Sequence, residues 1–235
     1  MIYQRNKEEI EKLRQAGKIV GLTHKYLQQF LKPGISTKEI DELAKKFIES
    51  KGCTCSFEGL YGFPGSICIS INNEVVHGIP KRTRKLREGD IVKLDIGACY
   101  QGYHGDSAWS YIIGKGKPED VRLLKETEEA LMAGVVRELV GHGVGDKVHM
   151  EPDVPNYGKE RKGPVLHEGN VIAIEPMLNL GERYIYMLED NWTICTDDDS
   201  NSAHFEHTIL VTKDGAEILT RRDVELDKED IVKVD

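Results

Sequence analysis

No apolar run in this 235-residue chain approaches the roughly 18 residues needed to cross a membrane, and the opening Met-Ile-Tyr-Gln-Arg-Asn-Lys lacks a secretory core. A soluble, cytoplasmic protein with no membrane role is expected. A positive balance is also lacking: a formal net charge of −8 argues against a nucleic-acid footprint. The one basic cluster, Lys81-Arg-Thr-Arg-Lys-Leu-Arg87, reads as a solvated loop, with transient docking to an anionic surface such as a ribosome as its alternative. Cysteine patterning is missing too. Cys53, Cys55, Cys68, Cys99 and Cys195 are odd in number and fit neither a zinc ribbon nor a disulfide framework, so reduced, structural thiols are expected.

What remains is a chain with 39% apolar residues, long enough for one well-buried domain or two smaller lobes. Ile10, Leu13, Ala16, Val20, Leu27 and Phe30 recur at helical intervals over residues 7–31, and Pro33-Gly34 stops the pattern. Ser36-Thr-Lys-Glu39 is a capping box that opens a second helix, with Gly52 just past its end. The period then changes. Residues 66–71, 90–96 and 107–113 read as strands, a third helix is expected from 119, and strands resume at 171–175, 184–188, 192–196, 205–212 and 216–219. This order predicts an α+β fold of two related halves, each laying helices on one face of an antiparallel sheet. A single domain over 1–235 is expected, with halves of about 1–115 and 116–222 and a charged tail at 223–235.

The chemistry gathers around Lys93-Leu-Asp-Ile-Gly-Ala-Cys-Tyr-Gln-Gly-Tyr-His-Gly-Asp106, which reads as a hairpin carrying Asp95 and Asp106, with Gly97 ending its first strand. An acid inside a strand needs a cation or a hydrogen-bond network. Further histidines and carboxylates stand in His77-Gly-Ile-Pro80, Gly141-His-Gly-Val-Gly145, His149-Met-Glu-Pro152, Ile174-Glu-Pro-Met177 and Phe205-Glu-His-Thr208. Asp95, Asp106, His142, Glu175 and Glu206 together offer four carboxylates and one imidazole. Acids so placed repel one another unless divalent cations lie between them. Oxygen-rich sites with one imidazole suit Mn²⁺, Fe²⁺, Co²⁺ or Zn²⁺, and shared carboxylates allow two such ions with a water between them acidic enough to attack an amide.

These motifs, with Gly62-Phe-Pro-Gly-Ser-Ile-Cys-Ile-Ser70, Gly105-Asp-Ser-Ala-Trp109 and Asn191-Trp-Thr193, resemble those of the bacterial type I methionine aminopeptidases from about residue 5 to 222. The resemblance implies a pita-bread fold, two divalent metal ions, and removal of the initiator methionine from nascent peptide N-termini; a monomer is expected. It implies that Asp95 chelates one metal, that Asp106 and Glu206 bridge both, and that His142 and Glu175 complete the other shell. Glu175 also matches the residue that shuttles the proton, and His77 and His149 match histidines that contact the scissile peptide without ligating metal. Phe57, Leu60, Phe63, Val148 and Trp192 match pocket positions for the thioether side chain, with Leu60 standing where relatives often carry an aromatic and Met150 where they often carry an acid.

One departure is larger. In that family roughly 25 residues, about one helix with its connections, separate the equivalents of Gly134 and Val135, which abut here. Losing a helix predicts an exposed apolar patch. The helix from 119 is then expected to end near Gly134, with 135–141 entering as a strand. Two readings compete with the aminopeptidase: a catalytically impaired relative acting as a binding module, and a proline-specific peptidase of the same fold.

Overall fold

Asn6 opens the first helix: its side chain accepts from the Glu9 amide, and the Glu9 carboxylate accepts the Asn6 amide in return. The computed structural model describes residues 3–129, 136–158 and 163–226. From that cap runs α1 (Lys7–Gln28), followed by α2 (Thr37–Ser50), which is opened by the Ser36 and Glu39 box that the sequence predicts. Then come β1 (Thr54–Cys55), β2 (Cys68–Ile71), β3 (Glu74–Val76), β4 (Ile91–Tyr100), β5 (Tyr103–Ile112) and α3 (Pro118–Glu129). The second half holds β6 (Val140–Gly143), β7 (Met150–Pro155), β8 (Val171–Ile174), β9 (Met177–Asn179), β10 (Ile185–Met187), β11 (Ile194–Thr196), β12 (Ser202–His204), β13 (His207–Thr212) and β14 (Gly215–Ile218). Among the described residues no helix is long and apolar enough to cross a membrane.

Among the described residues all strand pairings are antiparallel. β4 takes β5 along one edge and β2 and β1 along the other, while the second half forms the order β14-β13-β8-β6-β7. Val92, Leu94, Ile96 and Ala98 of β4 pack with Val20, Ile40 and Ile48 of the helices. Alternation therefore turns Lys93, Asp95 and Gly97 the other way, toward the second half. Gly97 does not end the strand as expected. Three more residues stay paired, and the chain reverses at Gln101 and Gly102, whose φ values of 50° and 83° suit a tight hairpin turn.

Helix α1 lies across both halves. Val20 and Leu27 belong to the first core, whereas Leu13 packs with Val144, Val171, Ala173, Leu210 and Leu219 of the second. Where it crosses, backbones meet directly: a Cβ on Gly105 would stand 2.7 Å from the Gly17 nitrogen, and one on Gly17 would stand 2.6 Å from the Leu219 carbonyl oxygen.

One further expectation needs correction. The strand foreseen at 135–141 begins only at Val140, because buried Val136 is held outside the sheet by its N–H donating to the Met177 carbonyl at 3.1 Å. The foreseen end of α3 near Gly134 lies outside the described residues. Beside Thr127 and Glu128 opens a cavity of about 380 Å³ whose apolar wall includes Trp109, Ile174, Ile209 and Ile218, the last 43% exposed. The cysteines are free, and within the basic run Lys81, Arg82 and Arg84 face Asp190, Glu42 and Glu74.

Candidate metal centre

Hairpin register brings the first two acids together. Asp95 lies opposite Ala108 and Asp106 opposite Gly97, so the carboxylates are diagonal neighbours on one face. The segment 204–208 is stitched along β5: the Asp106 N–H donates to Thr208 Oγ1 at 3.0 Å, and the Thr208 hydroxyl donates to the Asp106 carbonyl at 2.7 Å. The Glu206 N–H donates to the Ala108 carbonyl at 2.9 Å, and the Ser107 hydroxyl donates to the Glu206 carbonyl at 2.5 Å. Those bonds set Glu206 beside Asp106.

His142 arrives on β6 through two glycines. A Cβ on Gly141 would be 2.3 Å from the Ala173 carbonyl oxygen, and one on Gly143 would be 2.2 Å from that of Glu151, so only glycine lets β6 lie flush between β8 and β7. The β6–β7 register slips between those glycines, a bulge that aims the intervening imidazole. Glu175 follows the last residue of β8 and precedes Pro176, where the strand ends.

Asp95, Asp106 and Glu206 offer oxygens within 4.8 Å of one another, and so do the donor atoms of His142, Glu175 and Glu206, and of Asp106, His142 and His149. All five foreseen ligand positions thus converge, and His149 also comes within reach. Asp106 and Glu206 are buried, Asp95 and Glu175 half-buried. One oxygen of each of Asp95, Asp106 and Glu206 is buried without a hydrogen-bond partner. Desolvation pushes Asp95 up to about 7 and raises Asp106, Glu175 and Glu206 well above the usual carboxylate range, the last three further through neighbouring carboxylates. The His142 Nδ1–H donates to the Gly143 carbonyl at 3.0 Å, which leaves the Nε2 lone pair facing Glu175 Oε1 at 3.4 Å. Orphaned oxygens and a fixed lone pair turned toward one point fit a divalent cation.

Phe57, Phe63 and Val148 pack with Cys68, Leu60 and Trp192 in one apolar cluster, so the five foreseen pocket residues also converge. Phe57, Leu60, Phe63 and Trp192 line a cavity of about 260 Å³ whose other wall carries the carboxylates, His77 and His149. Burial, then His149, pushes His77 down to about 4, and burial lowers His149, so both rings are neutral at pH 7.

Sequence reasoning missed His204. Its ring is buried, neither nitrogen has a hydrogen-bond partner, and Nε2 lies 3.7 Å from Glu175 Oε2 and 4.0 Å from Glu206 Oε2. Burial pushes its pKa down to about 3. The available signal was spacing: two residues before Glu206, extended chain puts both side chains on one face.

Comparison with known proteins agrees with this geometry. The sequence model of metallopeptidase family M24 matches residues 11–137 and 128–213. Methionine aminopeptidase 1 of Bacillus subtilis is 48% identical over 248 aligned positions, covering 94% of this chain and 100% of the relative. Since 94% of 235 residues is about 221, about 27 of the 248 positions are filled in the relative alone. The two family matches overlap at 128–137, around the abutment foreseen from the sequence. The crystal structure of methionine aminopeptidase from Thermotoga maritima is similar with a TM-score of 0.91 at 37% identity, covering 94% of this chain and 100% of that one. An Xaa-Pro dipeptidase from Bacillus anthracis shares the fold alone, with a TM-score of 0.71 at 22% identity over 95% of this chain and 63% of its own. The chain belongs to metallopeptidase family M24, with the pita-bread fold of its methionine aminopeptidases.

Proposed function

We propose that this chain is a metal-dependent aminopeptidase that removes methionine from the N-termini of nascent proteins and peptides, using two divalent ions. The observation that carries the reading is the pairing of partnerless, desolvated carboxylate oxygens with an apolar, aromatic-walled cavity of about 260 Å³. Asp95, Asp106 and Glu206 would hold one ion and His142, Glu175 and Glu206 the other, with Glu206 common to both sets and Asp106 within reach of His142. Bound divalent ions supply an acidified water and polarise a carbonyl oxygen.

The remaining steps fall to side chains. The methionine thioether enters against Phe57, Leu60, Phe63 and Trp192, where polarisable sulfur gains ring contacts. Glu175, whose carboxyl burial and then Asp95 raise above the usual carboxylate range, accepts a proton and returns it to the leaving amine. Neutral His77 and His149 donate N–H groups toward the oxyanion as it develops. We read the whole of 1–235 as one catalytic domain.

The test is release of methionine from Met-Ala-Ser by the metal-loaded chain with Mn²⁺ or Co²⁺. Turnover abolished by a chelator and restored by metal is expected. Folded protein that binds Mn²⁺ yet releases nothing at any metal concentration would instead support the binding-module reading, which the chain's shortening favours. Cleavage of Xaa-Pro peptides in preference to Met-Ala-Ser would overturn the choice of substrate.

A further inference from the structure

At the cavity mouth stands Tyr61, 78% exposed, an aromatic that none of the roles above employs. Its backbone is left-handed, φ 50° and ψ 21°, where a bulky residue is strained and glycine or asparagine would sit more easily. The turn that imposes this is firmly tied. The Leu60 N–H donates to the Phe57 carbonyl at 3.0 Å and the Phe63 N–H to that of Leu60 at 2.9 Å, while Gly59 and Gly62 absorb the flanking φ values of 76° and 87°. Leu60 packs with the pocket wall and Tyr61 points outward. The Tyr61 ring lies nearly parallel to that of His149, 14° between planes and 6.4 Å between centroids, and His149 stands edge-on to His142 at 4.4 Å. Three rings thus lead from the carboxylate cluster to solvent.

We propose that Tyr61 is a specificity-determining platform for the third residue of the substrate, favouring an aromatic side chain there. The inference rests on the aminopeptidase reading, in which His149 meets the bond between the first and second residues. Extended chain advances about 3.3 Å per residue. The 6.4 Å from the His149 ring to the Tyr61 ring is therefore a two-residue step, which brings the third side chain over an exposed phenol ring. Ring stacking there raises binding without touching the reacting atoms.

The experiment uses the metal-loaded full chain with Met-Ala-Trp and Met-Ala-Gly, comparing kcat/KM for the two. The unaltered protein is expected to favour the tryptophan peptide about fivefold, chiefly through KM. Tyr61→Asn, chosen because asparagine tolerates the left-handed turn, is expected to bring that ratio to about one, and Tyr61→Phe to preserve it. Thermal melts of both variants confirm folding. A ratio near one in the unaltered protein, or one that survives Tyr61→Asn, overturns this inference and leaves the aminopeptidase reading intact. Failure of the unaltered protein to cleave either peptide removes that reading and this inference with it.

Discussion

Asp95 and Asp106 come from a hairpin whose two ten-residue strands pair without interruption, whereas His142, Glu175 and Glu206 come from irregularities in the other half. One sits in a bulge between glycines, one at a strand end before proline, and one between β12 and β13. A continuous ladder fixes two carboxylates by register alone. The second half reaches the same precision only by close backbone approach and by hydrogen bonds borrowed from β5, so its part of the centre depends on neighbours that the hairpin does not need.

The sharpest challenge to this contrast is to remove one donor from each half. Asp106→Asn and His142→Ala are each expected to lower kcat/KM on Met-Ala-Ser by more than about a hundredfold, while far-ultraviolet circular dichroism stays native. If His142→Ala kept activity within tenfold, the second half would be a scaffold and not a co-owner of the site.

Metal binding gives the next largest effect. In the metal-free chain the raised pKa values favour protonated acids, so their stabilising contribution is full below about pH 4 and fades as pH rises, through about 7 for Asp95 and through the likewise raised titrations of Asp106, Glu175 and Glu206. Bound cations favour the ionised forms and reverse that slope. Saturating Mn²⁺ should therefore raise Tm more at pH 8 than at pH 5, by about 5–10 °C at the higher pH if free metal is near a hundred times Kd. Equal increments at both pH values would mean that the ions bind elsewhere.

Glycine substitutions then compare the two construction methods. Gly105→Ala in the hairpin and Gly141→Ala in the bulged strand each force a Cβ onto backbone atoms, at 2.7 Å and 2.3 Å. Each is expected to cost about 2 kcal/mol, or about 4–8 °C in Tm. Both should also weaken Mn²⁺ binding, measured by titration calorimetry, since each directly precedes a donor, Asp106 or His142, with the larger loss at Gly141, where the bulge aims the imidazole.

A smaller effect is expected from His204, which lines the cavity and faces Glu175 and Glu206. His204→Ala should lower kcat about tenfold with KM nearly unchanged, and His204→Gln should recover part of the loss by restoring an N–H donor. An unchanged kcat would mark the ring as packing only. The smallest change is Ser36→Ala, about 1 kcal/mol or 2–4 °C in Tm, with activity intact.

The same contrast explains what the amino-acid sequence disclosed. Ser36-x-x-Glu39 and the apolar spacing of α1 and α2 were legible because helix ends and faces are local. The equivalent box at Asn6-x-x-Glu9 uses the same physics and went unread. Gly97 looked like a strand end, yet it serves Ser56 and Phe57, which a Cβ there would meet at 2.7 and 2.9 Å. That requirement comes from residues 40 positions away and leaves no local trace. The metal donors were legible only as a set, since each lone histidine or acid has an ordinary explanation. His204 escaped because its partner acids are assembled by tertiary pairing, and β12 is only three residues long.

The crossing of Gly17 and Gly105 carries a last consequence. Metal sites tolerate donor displacements of only about 0.2 Å. Helix α1 touches the strand bearing Asp106 on one side and the Leu219 backbone on the other, with no side chain as a spacer. It acts as a fulcrum whose gauge is one hydrogen atom, and a single methyl at position 17 would tilt one half of the molecule against the other. Donor positions can thus be shifted from the back of the protein, with every donor residue left unchanged.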